Sequence, residues 1–433
     1  MKRQFALLLL LSMQLPMTAM ASDIKNATAM QGVPPTEQSQ VTFANYRDQP
    51  FSRWAFRNTG AFFNTLNIAR SGPIDQFKLR PDKKIERIAW QKPPGEHKTL
   101  SDLFAANDAD AVVILRNKKL VFEQYFNGMQ ASDRHIWFSM TKSLVSTAAG
   151  LLVASGKLDV NASPADYIPE LKGSGFVRVS IQNVLDHDTA LAFKENYSDY
   201  SSEFFRFYAP ALKMAYLPGA ADVQPGSGVI YGVHNFVTDF VKPDTTLQPG
   251  AQFDYNSANA DVLGWLVARV SGMPLHRFVQ QNIWSKLRTE HDASIAADRA
   301  LMAVATGGMN TTVRDAARFG QLLLQNGKYK GEQIVPRAWV DAIVNVDDRL
   351  TTNMKHNSKY QNADWQAYHN MWWVLDAEKE EFCAVGIHGQ VIYINRSANM
   401  VAAWFSSQQI ASSVNSEKFG KKLAAIREIA NHY

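Results

Sequence analysis

Cysteine is almost absent: the 433 residues hold one, Cys383. An internal disulfide is therefore excluded and the fold must stand on its apolar core, in which Cys383 reads as a small buried residue. Beyond residue 21 no apolar run approaches the ~18 residues that a bilayer span requires, and no cysteine follows that point closely enough to carry a lipid anchor. A large excess of one charge is also missing. The formal net charge is +5, with no Lys/Arg run and no platform of aromatics, which argues against a nucleic-acid partner. The ten histidines are scattered. With no H-E-x-x-H pattern, Cys/His cluster, phosphate loop or dinucleotide fingerprint, neither a metal nor a cofactor is expected.

What is present begins with a leader. Lys2 and Arg3 precede an apolar core over Phe5–Leu11 and an Ala19-Met20-Ala21 cleavage pattern, which reads as a signal peptide over 1–21 and an exported product, periplasmic or secreted. Its removal lowers the net charge to about +3 by taking away two basic residues. The remaining length exceeds what one compact core serves, so two lobes are expected. Residues 22–41 are polar and read as a flexible lead-in. Residues 43–71 hold five phenylalanines and a tryptophan, enough to strap this segment onto the main body. Residues 73–98 lack periodicity. We therefore expect an N-terminal extension over 22–98 packing on a main domain over 99–433.

Within that domain, Ala111–Leu115 and Leu120–Phe126 read as strands joined by a turn at Asn117-Lys118. Helices follow near 258–271, 274–287 and 312–326, and a loop fills about 208–232. Apolar runs at 370–375, 382–387, 391–395 and 400–406 read as an antiparallel meander, closed by a helix from about 415 with Phe419, Leu423, Ile426 and Ala430 on one stripe. The expected fold is α/β of the α+β kind. One antiparallel sheet is built from both chain ends and flanked by helices, with a helical lobe inserted over about 140–330 and a cleft between the two.

The stretch FSMTKSLVSTAAGLLVASGKL, residues 138–158, organises the chain. Its first turn is polar and the rest apolar all round, as in a buried helix, with Gly156 as its stop. Ser139 and Lys142 lie three positions apart and share one helical face. A serine hydroxyl becomes a nucleophile when a neighbouring base takes its proton, and burial at a helix start disfavours the ammonium form that would prevent a lysine from doing so. The same residues also fit a core helix with a polar first turn, and Ser-x-x-Lys recurs at Ser22–Lys25.

This order of parts resembles the serine β-lactamase and penicillin-binding fold, in particular its class C-like branch of 6-aminohexanoate-dimer hydrolases and esterases. Ser139-Met140-Thr141-Lys142 matches the first motif. Tyr255-Asn256-Ser257 matches the second, after the Pro249-Gly250 turn and before an apolar helix. The third, Lys-Thr-Gly in lactamases, is replaced by Ile387-His388-Gly389, which resembles the amide- and ester-cleaving relatives. Asp186-His187-Asp188-Thr189-Ala190-Leu191 departs further, with Ala190 where relatives carry glycine.

The resemblance implies a small-molecule amide or ester substrate and an acyl-enzyme on Ser139. Lys142 and Tyr255 would transfer protons, and backbone N–H groups of Ser139 and of an edge strand near Gln390 would hold the oxyanion. Tyr197, Ser257, His388 and Gly389 are the substrate-binding candidates, although His388 also fits a packed core histidine and Tyr197 a surface aromatic. A β-lactamase, a peptidoglycan DD-peptidase and an inactive binding homologue are the alternatives.

Overall fold

β-Branched and aromatic residues concentrate at both ends of the chain, and there they pair into one sheet. A computed structural model describes residues 29–86, 99–197, 199, 201–214, 231–361, 363–413 and 416–432. The leader, Ser22–Lys25 and most of the loop read over 208–232 lie outside these residues. The first residues of that loop, Tyr208 and Ala209–Ala211, are helical and mostly buried.

Strands β1 (Asn64–Ile68) and β2 (Lys78–Leu79) come from the N-terminal extension. β3 (Ala109–Arg116) and β4 (Lys119–Tyr125) form the hairpin. Asn117 and Lys118 both take positive φ in its turn, the geometry that matches the strand twist. β5 (His135–Ile136), β6 (Ala293–Ala297) and β7 (Met309–Thr311) are short. The C-terminal meander is β8 (Ala367–His369), β9 (Trp372–Asp376), β10 (Glu381–Gly386), β11 (Gln390–Asn395) and β12 (Met400–Ser406).

The main sheet runs β8-β9-β10-β11-β12-β3-β4-β2. The two chain ends meet where β12 pairs antiparallel with β3, Trp404 opposite Val112 and Ala402 opposite Ile114. A second sheet, β1-β6-β7-β5, was not expected from the sequence. It joins the N-terminal extension to the middle of the chain, with Leu66 opposite Ile295.

The helices that matter here are α1 (Met140–Ala154), α2 (Ile181–Asp186), α3 (Ala258–Ser271), α4 (Val313–Leu324) and α5 (Glu417–His432). α4 lays its apolar face on β3, β11 and β12, while α1 packs between α3 and β10. α1 is buried along nearly its whole length, so its hydroxyls need internal partners. Ser143 donates to the Met371 carbonyl at 2.7 Å and Ser146 to that of Asn370 at 2.6 Å. Those two bonds fix the helix against the turn between β8 and β9, and Gly156 follows it at φ +69°.

Candidate active site

Ser139 is the N-cap of α1, and an N-cap serine ordinarily accepts from the N–H two or three residues on. Here the side chain makes no such bond. Its Oγ lies 2.9 Å from Lys142 Nζ, which also donates to the Thr306 carbonyl at 3.0 Å. The preceding residue, Phe138, is held at φ +46°, a strained conformation for a bulky side chain. Packing maintains it: the Phe138 ring sits 5.0 Å from Phe56 and 5.5 Å from His388.

Tyr255 completes the group. The Ser139 side chain interacts with its phenol, and Lys142 Nζ stands 5.0 Å from its ring centroid. The ring is clamped by Trp373, stacked at 5.6 Å, and by His187 at 5.0 Å. Ser257 caps α3 two residues on, so this helix start and that of α1 converge on one cavity. The cavity is lined by Ser139, Tyr197, Ser257, Thr306, Gly307 and Ile387 among others, with about 60 Å³ free. A wider space of about 420 Å³ adjoins it and shares Arg47 and Tyr197. A roomier cavity of about 760 Å³, beside β2 and the end of α4, shares no lining residue with the serine's cavity.

A family profile described as Beta-lactamase matches residues 100–425. The chain belongs to the Beta-lactamase family. It is similar, at 28% identity over 86% of its length and 90% of the relative, to a 6-aminohexanoate-dimer hydrolase of Paenarthrobacter ureafaciens. A solved structure described as a putative 6-aminohexanoate-dimer hydrolase from Bacillus anthracis superposes with a TM-score of 0.79 at 27% identity, covering 92% of this chain and 98% of that one. A β-lactamase of Providencia stuartii is 20% identical over 55% of this chain and 57% of its own length. As a Beta-lactamase family member the chain is a serine hydrolase of the amidase and esterase type.

The electrostatics of this hydrolase set Lys142 apart from Tyr255. Burial pulls the Lys142 ammonium down to about 8, against the opposing pull of the Glu195 and Asp261 carboxylates. Burial pushes the Tyr255 phenol above its ordinary value. Of the two, Lys142 is the group that loses its proton closer to neutral pH, while Tyr255 stays protonated. Buried beneath them, Asp261 is itself pushed up to about 7 by burial and accepts from the Tyr208 hydroxyl. A Lys142 that takes the Ser139 proton has to be neutral, and on that role kcat/KM should rise with pH through about 8 and level off above it. Asp261→Asn removes a charge that favours the ammonium, so the same limb should move to lower pH. A pH profile of both proteins on one ester checks this.

The remaining sequence candidates separate. Tyr197 lines both spaces, and its hydroxyl donates to Glu195. Ser257 lines the serine's cavity, and its N–H donates to the other Glu195 oxygen. Glu195 was not read from the sequence, although it lies two residues before Tyr197. His388 lines only the outer space, is buried, and bonds through Nδ1 with the Gln408 carbonyl at 2.6 Å. Burial takes its pKa down to about 3, so it is a neutral packed ring beside Phe56.

Two placements need correction. Gln390 is not on an edge strand: β11 lies between β10 and β12, and the Gln390 amide ties down the Ser406 backbone at 2.6 and 2.9 Å. Gly389 lines neither space; it supplies φ +90° and packs on the Gln408 side chain. Ile387 is the residue of this turn that lines the cavity with Ser139. Its position follows from Gly386, where an added Cβ would stand 2.2 Å from the Trp137 carbonyl, so the end of β10 presses directly on the turn that leads into Ser139.

The loop after α2 also differs from what glycine would give. Ala190 holds φ +51° while buried, a left-handed conformation that costs an alanine ~1–2 kcal/mol. Arg349 steadies the preceding residues, bonding Asp188 at 2.7 Å and Asp186 at 3.2 Å.

Proposed function

We propose that the chain is an exported hydrolase that cleaves a linear amide or ester through an acyl-enzyme on Ser139. The observation that carries this reading is the 2.9 Å contact between Ser139 Oγ and Lys142 Nζ in a buried site. In the neutral amine, one N–H remains on the Thr306 carbonyl and the lone pair receives the Ser139 proton as Oγ attacks the substrate carbonyl. Tyr255 passes a proton to the leaving group and is restored through Lys142. Water then attacks the acyl-enzyme and releases the acid.

The oxyanion is assigned to the N–H groups of Ser139 and Ile387, in place of Gln390. Among the described residues, neither donates to a backbone carbonyl. The basic, apolar and Ala-x-Ala run over 1–21 supports export.

Linear amides are favoured over β-lactams because Ile387-His388-Gly389 offers no lysine to meet a lactam carboxylate, and because the 6-aminohexanoate-dimer hydrolases named above are similar over nearly the whole chain. The purified protein should turn over short-chain p-nitrophenyl esters and N-acyl ω-amino acids at least about 100-fold faster, in kcat/KM, than a chromogenic cephalosporin, a difference of ~3 kcal/mol. The reverse order would assign it to the β-lactamases.

A further inference from the structure

The N-terminal strap reaches the active site. Tyr46 and Arg47 line the same cavity as Ser139, and Arg47 and Asp48 line the wider space outside it. The strap is anchored on both sides of Arg47. Tyr46 is buried and donates its hydroxyl to the Met214 carbonyl. Gln49 donates from its N–H to Gln409 at 2.8 Å and from its side chain to the Ser407 carbonyl at 2.7 Å. The backbone on either side of Arg47 is thus fixed, and Arg47 itself lines both spaces.

The charges around it are unequally engaged. Both oxygens of Glu195 accept bonds, from Ser257 and from Tyr197, and Asp48 accepts from Gln409 at 3.0 Å. Among the described residues, neither Arg47 nor Lys359, the other cation of the outer space, has a carboxylate at ion-pair distance. Arg47 faces the Phe205 ring at 5.6 Å, and Lys359 the Tyr360 ring at 5.3 Å. A half-buried guanidinium with no counter-ion favours an anion that completes it, and its planar fork matches a carboxylate. The cavity that Arg47 and Ser139 both line has Phe138, Phe204, Leu212, Met214 and Ile387 as its apolar walls, beside Tyr197, Ser257 and Thr306.

We propose that Arg47 is an anion-binding residue of the substrate site. It receives the free carboxylate of a substrate whose apolar chain separates that carboxylate from the scissile carbonyl. This rests on the hydrolase reading above and names its substrate class. The cation comes from the strap, outside the three catalytic motifs.

Two readouts test it. The first is the ratio of kcat/KM for ω-carboxyl p-nitrophenyl half-esters, from succinate to adipate, and for N-hexanoyl ω-amino acids, each over its uncharged methyl-ester counterpart. Arg47→Met should lower this ratio about 30-fold for the best carboxylated substrate, and Arg47→Lys should restore part of it. The second needs no turnover: hexanoate should quench tryptophan fluorescence at lower concentration than hexanamide in the wild type, and Arg47→Met should abolish the preference. An unchanged ratio, or no preference for hexanoate in a folded wild type, overturns the proposal. A wild type that prefers hexanoate and cleaves no ester keeps the anion site and refutes the hydrolase reading instead.

Discussion

Ser139→Ala should lower kcat for a short-chain ester by about 10⁴-fold or more, the loss typical when a nucleophile that works as a unit with its base is removed. The fold should survive. Ser139 contributes no cap bond to α1, and after its removal Lys142 still donates to the Thr306 carbonyl. Circular dichroism and thermal unfolding should overlay the wild type within a few degrees, which separates lost chemistry from lost structure. A variant that keeps even a hundredth of the wild-type rate would move the nucleophile elsewhere.

Lys142→Met should show activity and stability moving in opposite directions. Turnover should fall about 10³- to 10⁴-fold, because the serine loses the neighbouring amine whose lowered pKa suits proton removal. The rise of kcat/KM through about pH 8 should vanish with it. Stability should hold or increase, since burial disfavours the Lys142 ammonium and methionine fills similar volume without a charge to desolvate. The sign follows from that burial. A lysine whose pKa is lowered in the folded protein binds fewer protons there than in the unfolded chain, so the wild type gains stability as pH rises from about 8 toward the ordinary lysine range. The Lys142→Met melting temperature should lose that part of the slope. Stopped assays and calorimetry at pH 6, 8 and 10 read both effects.

The elements legible in the sequence were those whose signal is local. The β3–β4 hairpin announces itself by two β-type runs around Asn117-Lys118, and the meander from β9 to β12 by runs broken at Gly and polar turns. α1 shows as an apolar helix with a polar first turn, which placed Ser139 beside Lys142. The small sheet did not show. Its strands are two to five residues long, and β1 alternates half-buried and exposed residues until Ile68. Only pairing with β6, more than 200 positions away, makes it a strand.

The same distance problem governs the site. Glu195 meets Ser257 across 62 positions, and Arg47 reaches the cavity from the strap with no motif to mark it. Gln390 was misplaced because the turn at Ile387–Gly389 takes a helical bend with His388 at φ +61°. Whether its strand lies at an edge is decided by long-range pairing, and β11 is flanked by β10 and β12. Tyr255 is marked in the sequence by its flanking turn and helix, and the clamp by Trp373 and His187 shows what that context builds.

The central claim is a covalent intermediate on Ser139. It is tested most directly by intact-mass spectrometry after brief exposure to a fluorophosphonate, with Ser139→Ala treated in parallel and the labelled peptide mapped. One adduct is expected on the wild type, located on the peptide containing Ser139, and none on the variant. An equal adduct on Ser139→Ala would place the nucleophile elsewhere. No adduct on a folded wild type that also cleaves no ester would leave a binding protein built on a hydrolase fold.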